Sequence, residues 1–308
     1  MFSFHTSLSR NITALLAGLF VLSACTVVPP SDQAASSKAW KAGDMTVTVI
    51  QDLPFEMDAS LFSGPATEAE RLKYFTDGKA EASVNVFLLR MGDKIALFDA
   101  GAGPMIFQTP GKLREALANQ GIKPEDIDFV LLTHMHGDHI GGLLQGEERA
   151  FPKAKLMVSG PEIDWWVAFA QSSPQNSNEF LAVNAALVLA VVAAYGDDIQ
   201  PFAFGDSVLP GVTALDAAGH TPGHTVFQLT AGKETLFIIG DLLHAMNLQL
   251  ALPDECAVFD MDPPAAILAR KRILDLAAES NAHIAGMHFP LSNAIGAIEK
   301  DGEGWKFK

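Results

Sequence analysis

The chain has 308 residues, of which 49% are hydrophobic and 19% are charged, so it has enough apolar material for a large core and does not resemble a disordered chain. It contains 21 Lys and Arg against 36 Asp and Glu, which gives a formal net charge of −15. A surface this acidic repels a phosphate backbone, so we do not expect a nucleic acid partner.

The N-terminal segment is typical of an export signal. One basic residue, Arg10, precedes the apolar run NITALLAGLFVLSAC, which is too short for a membrane span and matches a secretory signal peptide. The end of this run, LSAC, resembles the bacterial lipobox, in which the cysteine carries a lipid anchor. The resemblance implies an anchor on Cys25 and, because Thr26 is not an aspartate, an outer-membrane location. Cleavage after Ala24, with Cys25 incidental, is the alternative.

These observations divide the chain into three parts. We expect a lipoprotein-type signal peptide at 1–25, a flexible tether at 26–40 that begins TVVPPSDQAASSK, and one folded domain at 41–308. The protein would then be exported to the periplasm and would meet the membrane only through Cys25. If Cys25 is acylated, Cys256 has no disulfide partner and is expected to be a small buried hydrophobe.

The folded domain alternates strands and helices in two similar halves. In the first half, MTVTVIQDLPFEMD predicts a strand followed by a turn, ASVNVFLLRMGDKIALFDAGAG predicts two strands, and TPGKLREALANQG predicts a helix that ends at Gly121. PEDIDFVLLTH and KAKLMVSG add two further strands. In the second half, three strands within VTALDAAGHTPGHTVFQLTAGKETLFIIGD precede the helix PPAAILARKRILDLAAES and the strand AHIAGMH. This order predicts an αββα sandwich, in which two sheets pack between outer helices.

Two apolar segments lie between the halves. PEIDWWVAFA predicts a short helix, and SNEFLAVNAALVLAVVAAYG predicts an Ala-rich helix over 179–195. The second segment is central in the chain and short for a membrane anchor, so we interpret it as a packed helix or as an apolar cover over a cleft.

The stretch LLTHMHGDHIGG concentrates side chains that bind metals. His134, His136, Asp138 and His139 fall within six positions, and histidine and aspartate are poor core residues unless something satisfies them. Four ligands exceed what one tetrahedral zinc ion takes while keeping a water molecule, so two ions sharing a site are the economical interpretation. Three further candidates each follow an apolar strand: His220, Asp241 and His288.

The motif THMHGDH, followed in order by AGHTPGH, GD and GMH, resembles the signature of the metallo-beta-lactamase superfamily. The resemblance covers almost all of the mature chain and implies the αββα fold with a two-metal site. Carried over position by position, it places His134, His136 and His220 on the first metal ion. It places Asp138, His139 and His288 on the second ion, with Asp241 bridging both. Asp138 and Asp241 would also take part in catalysis.

Other residues are expected to support or surround this site. The resemblance assigns Asp99 to the support of the metal-binding histidines, a role in which a carboxylate fixes the orientation of an imidazole. Thr133 and His224 are interpreted as supporting residues rather than ligands. An apolar substrate pocket is proposed from a set of aromatic residues and one histidine, for which core packing is the alternative: Trp165, Trp166, Phe169, Phe180 and His244.

The expected cofactors are two divalent metal ions, with Zn first and Mn, Co or Fe also suited to nitrogen and oxygen ligands. A hydroxide bridging the two ions would attack an ester-type bond of a neutral small molecule. The blocks ASVNVFLLRMGDKIALFDAGAG, GDLLHAMNLQLALPD and GMHFP look most like the methyl parathion hydrolase and lactonase branch. An aspartate such as Asp241 is commonly lacking in the lactam-hydrolysing members, so a beta-lactam substrate is less expected. The expected substrate is therefore an aryl phosphotriester or a lactone. The oligomeric state is left open, with a dimer compatible.

Three alternatives stay open at this point. The protein could be another hydrolase of the same fold, acting on a beta-lactam or a thioester. It could be a metal-binding protein of the cell envelope without turnover, which the complete ligand set argues against. It could also be an iron oxidoreductase of the flavodiiron or persulfide dioxygenase kind, which the dinuclear ligand set and the absence of a flavin-binding domain make less attractive.

Overall fold

The computed structural model describes residues 24–28, 39–106, 109, 111–172 and 178–308. Most of the predicted signal peptide and the central part of the predicted tether, 29–38, lie outside these ranges. Within them, the strands are β1 Cys25–Val27, β2 Ala39–Ala42, β3 Met45–Asp58, β4 Phe62–Ser63, β5 Lys79–Met91, β6 Lys94–Phe98, β7 Phe129–Leu131, β8 Leu144–Gln145, β9 Glu148–Arg149, β10 Lys155–Ser159, β11 Ile199–Phe202, β12 Ser207–Leu209, β13 Val212–Asp216, β14 Thr225–Ala231, β15 Glu234–Ile238, β16 Cys256–Ala257, β17 His283–Ala285, β18 Ile295–Asp301 and β19 Gly304–Phe307. The α-helices are α1 Glu68–Arg71, α2 Gly103–Ile106, α3 Leu113–Asn119, α4 Gly137–Ile140, α5 Gly160–Gln171, α6 Glu179–Tyr195, α7 Met246–Ala251 and α8 Pro263–Glu279.

Two mixed sheets form the centre of the protein. The first has the strand order β1-β3-β5-β6-β7-β10-β11, with β2 also paired to β3, and the second has the order β12-β13-β14-β15-β17-β18-β19. A two-residue turn joins β5 to β6 in antiparallel pairing, whereas β7 and β10 add to this edge in parallel. The predicted αββα sandwich is confirmed.

The strands of the first sheet alternate between two apolar layers. On β5, Val86 and Leu88 belong to the cluster that packs against α3, α5 and α6, whereas Phe87 and Leu89 belong to the cluster between the two sheets. This alternation follows from the two-residue period of a strand. A third cluster joins the outer face of the second sheet to α8, through residues such as Phe237 and Ile273.

Local sequence explains where the long helices begin and end. Asp262 caps α8 by accepting a hydrogen bond from the Ala265 backbone N–H, and proline occupies the first helical position, where its missing N–H costs nothing. Gly121 follows α3 with a φ of +72°, a conformation that terminates a helix readily only with glycine. The helices predicted at these positions are therefore confirmed.

The Ala-rich helix α6 is also confirmed, and one face of it packs on the protein. Val188, Val191 and Tyr195 are buried in the cluster beneath it, whereas Leu189 is 37% exposed. Among the described residues, this segment is apolar and long enough to cross a membrane by length and composition. Its buried face matches the predicted packed helix, and its N-terminal turn lies near the candidate site.

Two predicted boundaries differ from the structure. The segment Met45–Asp58 is one continuous strand, rather than a strand followed by a turn, with a register shift beside Asp52. The predicted tether also has a strand at each end, because β1 pairs with β3 through Cys25 and Met57, and β2 forms a hairpin with β3. Pairing across the sheet, which local sequence does not report, adds Cys25–Val27 and Ala39–Ala42 to the first sheet.

The topology brings the candidate site residues to one edge of the sandwich. Strands β6 and β7 are parallel neighbours, and so are β15 and β17. The carboxyl ends of parallel neighbours lie at the same edge of a sheet, which is where ligands collect in such folds. The loops after these four strands carry Asp99, the motif THMHGDH, Asp241 and His288.

The apolar layer between the two sheets should contribute a large part of the free energy of unfolding. Phe227 is fully buried and its ring lies 5.3 Å from Phe98 and 5.8 Å from Phe202. Replacing it with alanine removes a large buried ring, so Phe227→Ala should lower the free energy of unfolding by about 3–5 kcal/mol, measured by denaturant titration. In the control Leu268→Ala, the side chain is 71% exposed, and the change should stay within about 0.5 kcal/mol. Equal effects of the two substitutions would contradict this assignment of the core.

Candidate metal centre

The motif THMHGDH forms a loop and the first turn of a helix. After β7 the chain passes through Thr133 and His134, and His136 is the N-cap residue of α4 with extended backbone angles. Asp138 and His139 lie within α4, and the His139 N–H donates to the His136 carbonyl at 3.0 Å. The change from extended to helical backbone turns the side chains towards two neighbouring positions.

The other three candidates come from loops of the second sheet. His220 lies between β13 and β14, Asp241 lies in a 3-10 turn at Gly240–Leu242 directly after β15, and His288 follows β17. Gly240 adopts a φ of +52°, and a Cβ at this position would lie 2.5 Å from Nε2 of His224. Glycine is required there because the backbone passes so close to a neighbouring ring.

The predicted first group of ligands converges on one point. Nδ1 of His136 lies 3.0 Å from Nε2 of His134 and 2.9 Å from Nε2 of His220. Oδ2 of Asp241 lies 3.7 Å from Nε2 of His134 and 3.4 Å from Nε2 of His220. Three ring nitrogens and one carboxylate oxygen therefore surround a space of the size that a metal ion fills.

The second group lies on the other side of Asp241. Nε2 of His288 is 3.1 Å from Oδ2 of Asp241 and 3.5 Å from Oδ2 of Asp138, and Nε2 of His139 is 3.1 Å from Oδ1 of Asp241. Asp241 thus faces both groups, as a bridging ligand must. The structure brings all seven predicted ligand residues together, while their roles in binding metal remain a prediction.

The burial of these groups indicates what would satisfy them. Nε2 of His139 and Oδ1 of Asp241 are buried 3.1 Å from each other, and Nε2 of His136 is buried without a hydrogen-bond partner among the described residues. Buried polar atoms without partners are costly, and the close nitrogens of the first group share too few protons to pair with one another. A divalent cation would satisfy both groups at once, and nitrogen and oxygen donors suit Zn, Mn, Co or Fe.

The two groups differ in their electrostatics. Burial, followed by the nearby charge of His139, holds the pKa of His134 well below its ordinary value. Burial also tends to lower the pKa of His139, but the carboxylates of Asp241, Asp138 and Asp99 outweigh it and raise that pKa well above the ordinary value. Burial opposes ionisation of Asp241, yet the surrounding histidines hold its pKa well below the usual range. Asp241 is therefore ionised at neutral pH.

The predicted supporting residues lie next to the candidate ligands. Oδ2 of Asp99 lies 2.6 Å from Nδ1 of His139, and the same carboxylate accepts hydrogen bonds from the backbone N–H and the hydroxyl of Thr133 at 2.8 Å. His224 donates from Nδ1 to the Ala217 carbonyl and accepts the Asp241 N–H at Nε2, 3.0 Å away. Burial lowers the pKa of His224 to about 3, so this ring stays neutral and keeps Nε2 as an acceptor.

Sequence reasoning missed three residues that hold this site together. Oδ1 of Asp260 lies 2.9 Å from Nδ1 of His220, and the Ser83 carbonyl lies 3.0 Å from Nδ1 of His288. Glu162 accepts hydrogen bonds from both sides of the site. Their positions in sequence resemble those of ordinary loop, strand and helix-start residues, so spacing gives no signal that would have found them.

The predicted pocket residues divide into two sets. The ring of Phe180 lies 5.1 Å from that of His136, and Nε2 of His244 lies 3.2 Å from Oδ2 of Asp241, so both face the site. Phe259, which the sequence did not suggest, lies 5.7 Å from Phe180 and 5.9 Å from His244. Phe180 and Phe259 form an aromatic wall beside the ligand groups.

The tryptophan set is placed differently. Trp166 is fully buried and its indole N–H donates to Glu162 at 2.8 Å, although its ring also lies 5.8 Å from His136. Trp165 and Phe169 stack on each other at 5.0 Å and pack on the core cluster. These contacts favour the alternative of core packing for Trp165 and Phe169, and their role in a pocket remains a prediction.

A sandwich with histidines and aspartates converging at one edge defines a fold used by metal-dependent hydrolases. The family model of the metallo-beta-lactamase superfamily matches residues 81–284, and the chain belongs to this superfamily. The match includes the THMHGDH motif, His220 and Asp241.

Curated relatives resemble parts of the chain. Metallo-beta-lactamase domain-containing protein 1 of Homo sapiens is 29% identical over 193 residues, which are 60% of this chain and 59% of that protein. The mouse protein of the same name is 47% identical over 73 residues, which are 22% of this chain and 26% of that protein. An N-acyl homoserine lactonase of Bacillus cereus is 25% identical over 160 residues, which are 52% of this chain and 55% of that protein. The chain thus spans only part of the length of these relatives.

Solved structures resemble nearly the whole chain. The hydrolase AbOPH of the beta lactamase superfamily has a TM-score of 0.81 and 27% identity, covering 90% of this chain and 98% of that one. The dizinc quorum-quenching lactonase AidC has a TM-score of 0.78 and 24% identity over the same shares of the two chains, which shows the common fold.

Metal binding should depend on pH in a defined direction. Because the pKa of metal-free His139 is raised, a proton occupies this ligand and a divalent ion has to displace it. Zinc affinity should therefore fall as the pH is lowered from about 8 to about 5. Calorimetric titrations in two buffers with different ionisation enthalpies would measure the released protons, with circular dichroism as a control for folding. An affinity that does not change with pH would contradict this assignment.

Proposed function

We propose that the protein is an exported hydrolase that uses two divalent metal ions to cleave an ester-type bond of a neutral small molecule. The observation that carries the proposal is the position of Asp241. Its carboxylate lies within 3.7 Å of ring nitrogens in both ligand groups, so one residue can join two metal ions. Membership of the superfamily supports the same interpretation.

The donor set assigns a role to each ligand. The first ion would be held by His134, His136 and His220, the second by Asp138, His139 and His288, and both by Asp241. Two divalent ions held there would supply a water of lowered pKa, towards about 7, and a positive charge for the acceptor oxygen of a substrate.

The protein itself contributes orientation and exclusion of water. The side chain of Asp138 is 20% exposed, whereas that of Asp241 is 3% exposed, so the site opens on the side of Asp138. Asp99 and Asp260 fix the rings of His139 and His220 through Nδ1, which leaves Nε2 of each ring directed at the site. Fixed rings lose little freedom when they bind an ion.

His244 is placed to contact a substrate. The ring is buried, Nδ1 has no hydrogen-bond partner among the described residues, and Nε2 lies 3.2 Å from Oδ2 of Asp241. A buried imidazole in this position can form a hydrogen bond to an oxygen atom of the bound ester. The aromatic rings of Phe180 and Phe259 next to it favour an apolar group on the substrate.

A lactone or an aryl phosphotriester fits these features. Both are neutral, which suits a protein with a formal charge of −15, and both carry an apolar substituent that the aromatic wall can contact. The similarity to an N-acyl homoserine lactonase of Bacillus cereus supports the lactone. The similarity to the hydrolase AbOPH supports hydrolysis by the same fold.

The activity is tested on zinc-loaded protein with a panel of an N-acyl homoserine lactone, an aryl phosphotriester, a beta-lactam and a thioester. We expect turnover of the lactone or the phosphotriester. Asp241→Asn should lower kcat/KM by about a thousandfold, equivalent to about 4 kcal/mol, because it removes the charge that both ions share.

The matched control is Asp254→Asn, the same change at a carboxylate that is 44% exposed and paired with Lys271. This variant should keep wild-type kcat/KM. The proposal fails if the wild-type protein retains no metal after loading, or if Asp241→Asn hydrolyses the panel as fast as the wild type.

Export is the second part of the proposal, and the LSAC sequence before Thr26 supports it. Cys25 begins β1, so a lipid on this residue would attach directly beside the first sheet. Expressed from its full gene in a Gram-negative host, the wild type should incorporate labelled palmitate and appear in the membrane fraction. Cys25→Ser should lose the label and become soluble in the periplasm. Palmitate labelling of Cys25→Ser at the wild-type level would refute the anchor, and retention of both proteins in the cytoplasm would refute export.

A further inference from the structure

Glu162 is a fully buried carboxylate that belongs to neither ligand group. It lies in the first turn of α5, where Ser159 is the N-cap residue. Its side chain accepts hydrogen bonds from four neutral donors: the Met135 N–H at 2.8 Å, the Trp166 indole N–H at 2.8 Å, the Thr221 hydroxyl at 2.7 Å and the Gly223 N–H at 2.9 Å. A buried carboxylate held by so many donors is unusual, and it requires a reason.

The donors belong to the two loops that carry the first ligand group. Met135 lies between His134 and His136, in the loop after β7 of the first sheet. Thr221 and Gly223 follow His220, in the loop between two strands of the second sheet. Oε1 of Glu162 therefore contacts one loop, and Oε2 contacts the other.

The same helix turn holds the His220 loop at a second point. The Ser159 hydroxyl donates to the Gly223 carbonyl at 2.7 Å, so the residues at the start of α5 contact both the N–H and the carbonyl of Gly223. A Cβ on Gly223 would lie 2.2 Å from the Glu162 backbone nitrogen. The loop is thus packed directly on the helix start, without room for adjustment.

We propose that Glu162 is a positioning residue for the first metal ion, because its carboxylate fixes the distance between the His134–His136 loop and the His220 loop. The two loops come from different sheets, so the packing of either sheet alone does not set this distance. A difference of a few tenths of an ångström between loops changes the fit of an ion whose bonds to nitrogen are about 2.0–2.1 Å long. This inference rests on the proposed two-metal site.

The chemistry of the four contacts requires a carboxylate. An ionised glutamate accepts hydrogen bonds at both oxygens, whereas glutamine accepts at one oxygen and donates from its nitrogen. In Glu162→Gln, two of the four donors would face an amide nitrogen that donates as well. The side chain would therefore lose its contact with one loop, although its size and shape are nearly unchanged.

The experiment measures metal affinity at each subsite separately, by competition between protein and a chromophoric chelator for cobalt. In a His288→Ala background, the second group binds cobalt weakly, so the measured affinity of the tight site is that of the first group. Glu162→Gln should weaken cobalt binding there by about tenfold, as loss of an outer partner of the ligands does. In a His220→Ala background, which reports the second group, the same change should stay within about twofold.

The matched control is Glu255→Gln. Glu255 is also a fully buried glutamate, but its side chain accepts from the Ala66 N–H and from Arg71, away from both ligand loops. Glu255→Gln should lower thermal stability without changing the affinity of either subsite for cobalt. The visible spectrum of the cobalt protein gives a second readout, which should change for Glu162→Gln and stay the same for Glu255→Gln.

A milder pair of variants covers the case in which Glu162→Gln does not fold. Thr221→Val removes one donor to Glu162, whereas Thr221→Ser keeps the hydroxyl. Thr221→Val should weaken cobalt binding at the first subsite, and Thr221→Ser should restore it. Unchanged affinity in both Glu162→Gln and Thr221→Val, with the wild type binding two ions, would overturn the positioning role. A wild type that binds no metal would instead refute the proposed function.

Discussion

The structure depends on the convergence of several histidine nitrogens on one buried carboxylate, that of Asp241. Taken alone, such an arrangement is unfavourable, because buried nitrogens 2.9–3.0 Å apart compete for protons and a buried carboxylate loses its hydration. The surrounding elements offset this cost by fixing several of the rings from outside the site. The two sheets, the loops between them and the start of α5 all help to hold the histidine rings in place around Asp241.

Three of the candidate ligand rings are therefore held at Nδ1 by a group outside the site. Asp99 holds His139, Asp260 holds His220, and the Ser83 carbonyl holds His288. Ser83 and Asp99 belong to β5 and to the loop after β6 in the first sheet, and Asp260 belongs to the segment before α8. His220 and His288 lie in loops of the second sheet, so their orientation depends on how the two sheets pack. An ion entering this site would meet ligands that are already oriented, which is the condition for tight binding and for fast chemistry.

Much of the fold follows from local signals. The strand pair β5 and β6 is predictable from its alternating apolar residues, α8 from its two prolines and apolar period, and the end of α3 from Gly121. The seven candidate ligand residues are predictable because each stands in a motif that resembles those of the family. Local signals do not predict the strand Cys25–Val27 or the full length of the strand Met45–Asp58. Pairing with a distant strand stabilises both, rather than local propensity.

The sequence by itself determined which chemical groups are available: histidines and aspartates in order along the chain, in loops that follow apolar strands. Only the tertiary structure decided which atoms meet. Glu162 lies 59 residues from Thr221, and His288 lies 205 residues from the Ser83 carbonyl that orients it. Contacts over such separations are set by how the two sheets pack, and no local pattern around Glu162 or Phe259 records that packing.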